Sequence, residues 1–250
     1  MSGRTSDMTR TLVAIAFGTC LLLAAAESKQ DEPKQKVQIT STEHMDLPAN
    51  GTVRLNSTGD LTIEGWDQPG VEITTVKSTK TEVAAAEREK ASHGLDLVKA
   101  SAKRQGDELV ITTNLPRHAF PPPPPPFLRG VTRFDLECHV KVPRNARLIV
   151  DHDVGEVYFD DVRGDIRATL LQGDITLHLP QEGQYAIDAK SDFGSVTSDF
   201  PGNAKGRFWL VGHQFTQTSA APHKLYLRAG FGDIIILKIR KPSPLPPLNQ

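Results

Sequence analysis

The chain has 250 residues and a net charge of −1, with 30 acidic residues against 29 Lys and Arg. This balance leaves no basic field to attract nucleic acid, and the aromatic content of 6% offers few platforms for stacking bases or sugars. The length fits one or two domains, and the 19 Gly and 18 Pro residues are typical of a soluble β-rich protein with many turns.

The first 26 residues have the form of a secretory signal peptide. Basic residues precede an apolar run at 12–23, and the three alanines at 24–26 offer a small-residue cleavage site. The run is short for a membrane-spanning helix, and a polar linker over 27–36 follows it. We therefore expect an exported protein, secreted or periplasmic. The alternative is a retained anchor or lipidation at Cys20, either of which would tether the chain to a membrane.

Strand patterns begin at Val37 and mark the first half of the chain. Four alternating apolar pairs, separated by turns that contain glycine, predict four short strands: Val37/Ile39, Val53/Leu55, Leu61/Ile63 and Val71/Ile73. We expect Trp66 to close one end of the core, and stacking against a ligand is the alternative. Residues 81–92 are rich in alanine and predict one short helical insertion that ends at Gly94. The turn at 105–108 predicts a hairpin between two further apolar pairs, Leu95/Leu97 and Leu109/Ile111.

Six consecutive prolines, Pro121 to Pro126, lie in a proline-rich loop over 118–130. Because proline has no backbone donor, the run cannot lie inside a sheet and should form an extended polyproline II segment. It is either a stiff surface loop between two parts of the sheet structure or a docking ligand for an aromatic groove. A second proline-rich stretch at 241–250 is predicted to be a tail.

The region that organises the chain follows a strictly alternating strand that starts at Phe134. Three units in this region share the form Gly, acidic residue, β-branched residue: Gly155-Glu156-Val157, Gly164-Asp165-Ile166 and Gly173-Asp174-Ile175. Each Gly-acid pair predicts a turn, because Gly adopts positive φ without steric cost. The alternation after each pair predicts a strand with one buried face. The form returns at Gly194 and Gly232.

A repeat of about 20 residues, with a strand on either side of a glycine turn, is typical of stacked repeat folds. We therefore predict a mostly β protein, a single-stranded β-solenoid or β-roll-like stack of short rungs, over 37–240. Residues 208–219 fall where a rung is due but lack the Gly-acid signal. They are either a degenerate rung or a cap.

The order of these motifs resembles a known family. A Gly-x-Leu-x-Ile-x-Gly-Trp-Asp opening (Gly59 to Asp67) precedes a strand that closes on Val142-Pro143, then Asp-Val-x-Gly-Asp-Ile (Asp161 to Ile166) and Gly-Asp-Ile (Gly173 to Ile175). From Val37 to Ile239 the chain is similar to the bacterial putative-adhesin domains, a domain-of-unknown-function family related to the auto-transporter adhesin head (GIN) domains. The resemblance implies an exported β-solenoid and supplies no catalytic residues. The proline run and the helical patch depart from the family pattern as insertions.

Metal binding and catalysis have weak support in the sequence. The nine-residue spacing of Gly155, Gly164 and Gly173 is similar to that of calcium-binding β-rolls, but those need more glycines in each unit. Solvated turn carboxylates are the simpler interpretation. Cys138 and His139 are adjacent, so on a strand they point to opposite faces and cannot chelate one ion. No nucleophile, zinc, phosphate-loop or dinucleotide motif appears, and we predict no catalytic, cofactor-binding or metal-binding residue.

Three functional hypotheses follow. The favoured one is an exported, non-enzymatic module of the cell envelope, adhesin-like, with an undefined protein or glycan ligand and no nucleic-acid partner. The alternative is a carbohydrate-active β-helix enzyme. It would use acids on one sheet face, from Asp151-His152-Asp153, whose carboxylates share a face opposite the histidine, and from Asp160 and Asp161. The third is a scaffold of a larger envelope assembly, with the proline segments as docking points.

Overall fold

The computed structural model describes residues 34–115, 134–206, 212–218 and 220–239. The predicted signal peptide, most of the linker, the proline-rich loop and the tail lie outside these residues. Within the described ranges, no helix has the length and apolar content that a membrane crossing needs.

The described residues are mostly β, as predicted, and their strands form two mixed sheets. In chain order the strands are β1 Gln38–Met45, β2 Thr52–Ser57, β3 Asp60–Trp66, β4 Val71–Thr79, β5 Lys99–Gln105, β6 Glu108–Asn114, β7 Phe134–Pro143, β8 Arg147–Val154, β9 Val157–Asp160, β10 Ile166–Gln172, β11 Ile175–Pro180, β12 Tyr185–Phe193, β13 Val196–Ser198, β14 Asn203–Gly206, β15 His213–Gln217, β16 His223–Phe231 and β17 Ile234–Ile239. The eight-stranded sheet has the order β1-β4-β7-β3-β9-β11-β17-β13, and the nine-stranded sheet has the order β14-β15-β12-β16-β10-β8-β2-β6-β5.

Six strand pairs cross from the nine-stranded to the eight-stranded sheet in the same order in both: β6/β7, β2/β3, β8/β9, β10/β11, β16/β17 and β12/β13. Neighbouring pairs are hydrogen-bonded in parallel. The order in space differs from the order along the chain at two places. β6/β7 lies outside β2/β3, and the last pair along the chain, β16/β17, lies between β10/β11 and β12/β13. Antiparallel strands flank the parallel ones. The classification as a β-solenoid therefore stays a prediction.

The core lies between the inner faces of the two sheets. Burial alternates along the strands, as in β10, where Ile166, Ala168 and Leu170 are each 1% exposed. This period of two is what the alternating sequence predicts. Cys138 continues the inner face of β7, as predicted, and its burial raises the pKa of the thiol to about 12.

The glycine turns stack directly on one another at one edge of the molecule. Gly155, Gly173, Gly194 and Gly232 have φ between +128° and +158°. A Cβ on each would overlap the carbonyl oxygen of the glycine in the neighbouring turn. The acidic residue of the motif also has a structural role, since Asp174 Oδ1 accepts the backbone N–H of Asp233 at 2.8 Å. The Gly-acid signature therefore encodes turn-on-turn packing.

The three units spaced by nine residues are not equivalent. Gly155 and Gly173 belong to turns that lead from the nine-stranded to the eight-stranded sheet, whereas Gly164 lies in the return connection between β9 and β10. Gly164 is not among the residues with positive φ. The structural repeat in this region is thus 18 residues, the distance along the chain from Gly155 to Gly173.

The predicted helix and hairpin are displaced along the chain. A 3-10 turn at Ala85–Glu87 leads into helix α1, Arg88–Leu95. The helix therefore begins later than predicted and passes through Gly94, because burial of Leu95 holds the last turn in place. The hairpin turn at 105–108 is confirmed by β5 and β6, but Leu97 is 60% exposed and β5 begins two residues after it.

The described part of residues 208–219 is not a parallel rung. It forms β15, which pairs antiparallel with β12 on one side and with β14 on the other. Phe215 of β15 is buried against the end of the core. Of the two interpretations that the sequence left open, the structure matches the cap.

Candidate functional site: a polar groove on the nine-stranded sheet

A depression of about 900 Å³ lies on the outer face of the nine-stranded sheet, close to the edge with the glycine turns. It crosses six adjacent strands, from β6 through β2, β8, β10 and β16 to β12. We call it the polar groove and define it by the polar side chains Asn56, Thr112, Asp151, Asp153, Thr169, Asp192 and Arg228.

Strand register brings the polar side chains of the groove into one row. Thr112 pairs with Asn56, Asn56 with Asp151, Asp151 with Thr169, and Thr169 with Arg228. Neighbours in this row are about 4.8 Å apart, the spacing of strands in a sheet. Each of these residues is next to a buried core residue in its strand. Because side chains alternate between the two faces of a strand, the row points away from the core.

The cations at one end of the row are already neutralised. Nη2 of Arg228 donates to Oδ2 of Asp188 at 2.8 Å, and Nη1 donates to the Asp188 carbonyl at 2.9 Å. The guanidinium carbon also lies 3.8 Å from the ring centroid of Tyr226. On the next strand, Nζ of Lys190 forms an ion pair with Oδ1 of Asp192 at 2.7 Å. Both cations are therefore held in place by the protein itself.

The other end of the row has unused hydrogen-bonding capacity. Asp151 is exposed, and among the described residues its carboxylate takes part in no hydrogen bond or ion pair. Asn56, Thr112 and Thr169 are also exposed. A ligand in the groove therefore meets an amide, two hydroxyls and a carboxylate that are free to bind it.

Gly230 contributes to the depth of the groove. It lies on β16, and a Cβ at this position would be 2.7 Å from the carbonyl oxygen of Leu171 on β10. The absence of a side chain leaves space between the strands that carry Asp192 and Leu171, both of which line the groove. The missing side chain at Gly230 therefore lets the backbones of β16 and β10 approach closely where both line the groove.

A buried polar pair lies behind the row. Ser57 Oγ and His152 Nδ1 are 2.7 Å apart, and the two residues are 7% and 4% exposed. Burial lowers the pKa of His152 to about 4, so the ring is neutral at ordinary pH. The predicted arrangement of this strand is confirmed, since Asp151 and Asp153 are exposed and His152 is buried on the opposite face.

The four carboxylates proposed for an enzyme do not meet in one groove. Asp160 ends β9 in the eight-stranded sheet and Asp161 follows it, whereas Asp151 lies in the nine-stranded sheet. Asp160 lies 3.7 Å from Nδ1 of His178. Asp161 is buried with φ +51°, and its Oδ2 accepts a hydrogen bond from Nε of Arg144 at 2.8 Å. The four acids therefore do not share one sheet face, because the consecutive strands β8 and β9 belong to different sheets.

Three further residues that the sequence analysis named, Cys138, His139 and Trp66, do not line the groove. Cys138 is buried and His139 is exposed, so they point to opposite faces as predicted. Trp66 ends β3, where its Nε1 donates to the Gly70 carbonyl at 3.2 Å and Lys141 Nζ lies 5.7 Å from its ring. Within the described ranges, no three His, Cys, Asp or Glu residues are placed to hold a metal ion.

No motif in the sequence indicates that Asn56, Thr169 and Arg228 share a site. Each is an outward residue in an alternating strand, and such residues are common on any sheet surface. They are brought together only by the parallel register of the sheet, in which β16 lies between β10 and β12. Alternation could have identified them as surface residues but not as neighbours.

No family model matches the chain, and no curated protein matches it. The solved structures that are similar to the chain include the following three. A putative cell adhesion protein from Clostridium sporogenes is 12% identical, with a TM-score of 0.47 over 80% of this chain and 99% of that one. A putative adhesin from Bacteroides fragilis is 8% identical, with a TM-score of 0.25 over 82% and 99%. A putative lipid binding protein from Parabacteroides distasonis is 8% identical, with a TM-score of 0.24 over 78% and 73%.

Proposed function

We propose that this protein is an exported, non-enzymatic binding module of the cell envelope, adhesin-like, which holds its ligand in the polar groove. The observation that carries the proposal is the row of free polar side chains at Asn56, Thr112, Asp151 and Thr169 across four adjacent strands. On this proposal the parallel strand pairs are rungs of a β-solenoid, and their stacking holds the row rigid. A preorganised surface loses little conformational entropy when it binds.

Export is tested by mass spectrometry of the mature N-terminus. We expect a chain that begins near Glu27, because the small residues at 24–26 offer a cleavage site. A chain that keeps residues 1–26, or begins at a lipidated Cys20, would contradict free export and indicate a membrane-tethered module.

The groove is tested by the double substitution Asn56→Ala and Asp151→Ala. Each change removes hydrogen bonds to the ligand, and bonds to a charged group are worth about 1.5–3 kcal/mol. We expect affinity to fall by at least about tenfold. The measurement applies the purified, fluorescently labelled protein to a printed panel of bacterial polysaccharides, host glycans and extracellular-matrix proteins. The matched control is Asp107→Ala, an exposed acid in the hairpin turn outside the groove. If the double variant bound the same targets as the wild type, the proposal would fail.

The alternative, a carbohydrate-active enzyme, has one observation in its favour. Asp151 and Asp153 are both exposed in the groove, two residues apart on β8, which corresponds to about 7 Å along a strand. Inverting glycosidases hold their two carboxyl groups about 6.5–9.5 Å apart. Asp192 is not a suitable partner for Asp151, because three strand spacings, about 14 Å, separate β8 from β12.

Substitution of Asp151 by asparagine separates the two functions. An enzyme that needs this carboxylate would release reducing ends from a bound polysaccharide. Asp151→Asn would reduce the rate of that release by a factor of at least about 100. A binding module releases none with either protein. Detection of wild-type turnover would replace the binding proposal with the enzymatic one.

A further inference from the structure

We propose that the ligand of the polar groove is a neutral oligosaccharide, which contacts the exposed aromatic pair Phe193 and Phe231 at one end of the groove. This inference rests on the proposed function and adds the chemical class of the ligand. It is carried by the charges of the groove, by the pairing of its strands and by the position of the aromatic pair.

The charges of the groove disfavour an anionic ligand. Asp151, Asp153 and Asp192 line it, and two cations on β16 and β12 are engaged within the protein, Arg228 by Asp188 and Lys190 by Asp192. Arg167, on the outward face of β10, lies 4.9 Å from the ring centroid of Tyr226 and is not among the residues that line the groove. An incoming carboxylate, sulfate or phosphate would lose water and gain no free cation from these two side chains. Neutral hydroxyl groups have no such penalty, and they can donate to the carboxylate of Asp151.

The strands below the groove disfavour a peptide that binds through its backbone. β2, β8, β10 and β16 are interior strands of the nine-stranded sheet, each hydrogen-bonded to a neighbour on both sides. Strand addition needs an unpaired edge, and the groove lies on a face. Recognition therefore depends on side chains, and the free ones are an amide, a carboxylate and hydroxyls. These groups suit sugar hydroxyls, each of which can donate and accept a hydrogen bond.

An exposed aromatic pair follows two of the residues that line the groove, and its own rings are not part of that lining. Phe193 ends β12 and Phe231 ends β16, directly after Asp192 and Gly230, which line the groove. The two rings are stacked, with centroids 4.7 Å apart and planes 8° apart, and the residues are 53% and 41% exposed. Two adjacent exposed phenylalanines form an apolar surface that a binding partner can cover. The C–H face of a sugar ring packs well against such a surface, while its hydroxyls face the polar side chains.

The dimensions indicate an oligosaccharide. From β2, which carries Asn56, to β12, which leads to Phe193, there are four strand spacings, about 19 Å. One monosaccharide cannot contact both ends. A chain of several sugars can lie across the strands, with hydroxyls at Asn56, Asp151 and Thr169 and one ring against the aromatic pair.

The test is calorimetric titration of the purified full chain with neutral tetra- to hexasaccharides of glucose, mannose and xylose, and with oligogalacturonate as the acidic comparison. We expect a neutral oligosaccharide to bind. Phe193→Ala with Phe231→Ala should weaken its affinity about tenfold. Thr169→Tyr, which places a large side chain in the row at an exposed strand position, should abolish binding. The aromatic control is Tyr158→Ala, a 40% exposed tyrosine on the eight-stranded sheet, which should leave the affinity unchanged.

The possible failures are distinguishable. If only the acidic oligosaccharide bound, and Asp151→Asn strengthened its binding, the inference about charge would be overturned. If no saccharide bound, but groove variants lost affinity for a matrix protein, the ligand class would be wrong and the proposed function would stand. If a saccharide bound equally to wild type and to Thr169→Tyr, both the inference and the groove would be rejected. Denaturant midpoints within the error of the wild type establish that each variant is folded.

Discussion

Substitution of Gly232 by alanine is expected to destabilise the protein by about 4 kcal/mol. Two effects add at this position. The backbone has φ +134°, which L side chains rarely adopt, and the new Cβ would overlap the carbonyl oxygen of Gly173 in the adjacent turn. That oxygen belongs to the backbone of another stacked turn, so it cannot move without displacing the strands on either side. The measurement is equilibrium unfolding in urea. The change in stability is read from the shift in the urea midpoint, with the dependence of the free energy on urea concentration unchanged.

The chain offers a matched control for this prediction. Gly106 also has positive φ, +66°, but no atom lies within 4 Å of a Cβ built there. Gly106→Ala should therefore cost only the backbone strain, about 1 kcal/mol. Equal effects at Gly106 and Gly232 would show that the turns do not pack on one another as closely as the structure indicates. If Gly232→Ala does not accumulate as folded protein, Gly194→Ala is the second variant. Its Cβ would overlap the carbonyl oxygen of Gly232, so it tests the same kind of contact near the end of the stacked turns.

The glycine turns also show what the sequence can predict and what it cannot. Positive φ at Gly59, Gly155 and Gly173 follows from local chemistry, since Gly-Asp and Gly-Glu pairs between alternating segments favour turns. The strands follow from the period of two. Gly164 has the same local sequence, yet it belongs to the opposite edge of the sheets, because a local motif does not encode which sheet the chain has just left.

The order of strands in space is harder to predict than the strands themselves. A repeat suggests that consecutive units stack consecutively. Here β16/β17 pairs with β10/β11, and β12/β13 is placed outside it. This order depends on the register between strands, and side-chain packing between segments about 40 to 60 residues apart sets that register. The pattern within one segment carries no information about such long-range packing. Arg228 consequently reaches the groove next to Thr169, and no sequence motif connects the two.

Acidification is expected to destabilise the protein through His152. The ring lies in the core side of β8, 4% exposed, with Nδ1 2.7 Å from Ser57 Oγ. Burial lowers its pKa from 6.5 to about 4. The backbone of Gly59 and Val154 and the carboxylates of Asp153 and Asp60 pull the pKa upward, but burial outweighs them.

The direction of the effect follows from proton linkage. Between pH 6.5 and pH 4 the unfolded chain binds a proton at His152 and the folded protein does not, so the free energy of unfolding decreases as the pH falls. The contribution is fully present above pH 6.5 and is lost as the pH falls to about 4. A pKa difference of about 2.5 corresponds to about 3 kcal/mol. Since native domains are stable by about 5–15 kcal/mol, the loss is a large fraction of the total.

The measurement is the free energy of unfolding in urea at intervals from pH 7.5 to pH 4, for the wild type and for His152→Gln. The substitution lowers stability at pH 7.5, because the glutamine does not reproduce the fit of the ring, but it removes the titrating group. The curve for His152→Gln should therefore be flatter than that of the wild type by about 3 kcal/mol over this range. His178→Gln, at a 39% exposed side chain on the other sheet, is the control for replacing a histidine outside the core. Parallel curves for wild type and His152→Gln would show that this histidine is not the buried neutral group that the structure describes, and that the acid sensitivity comes from the carboxylates.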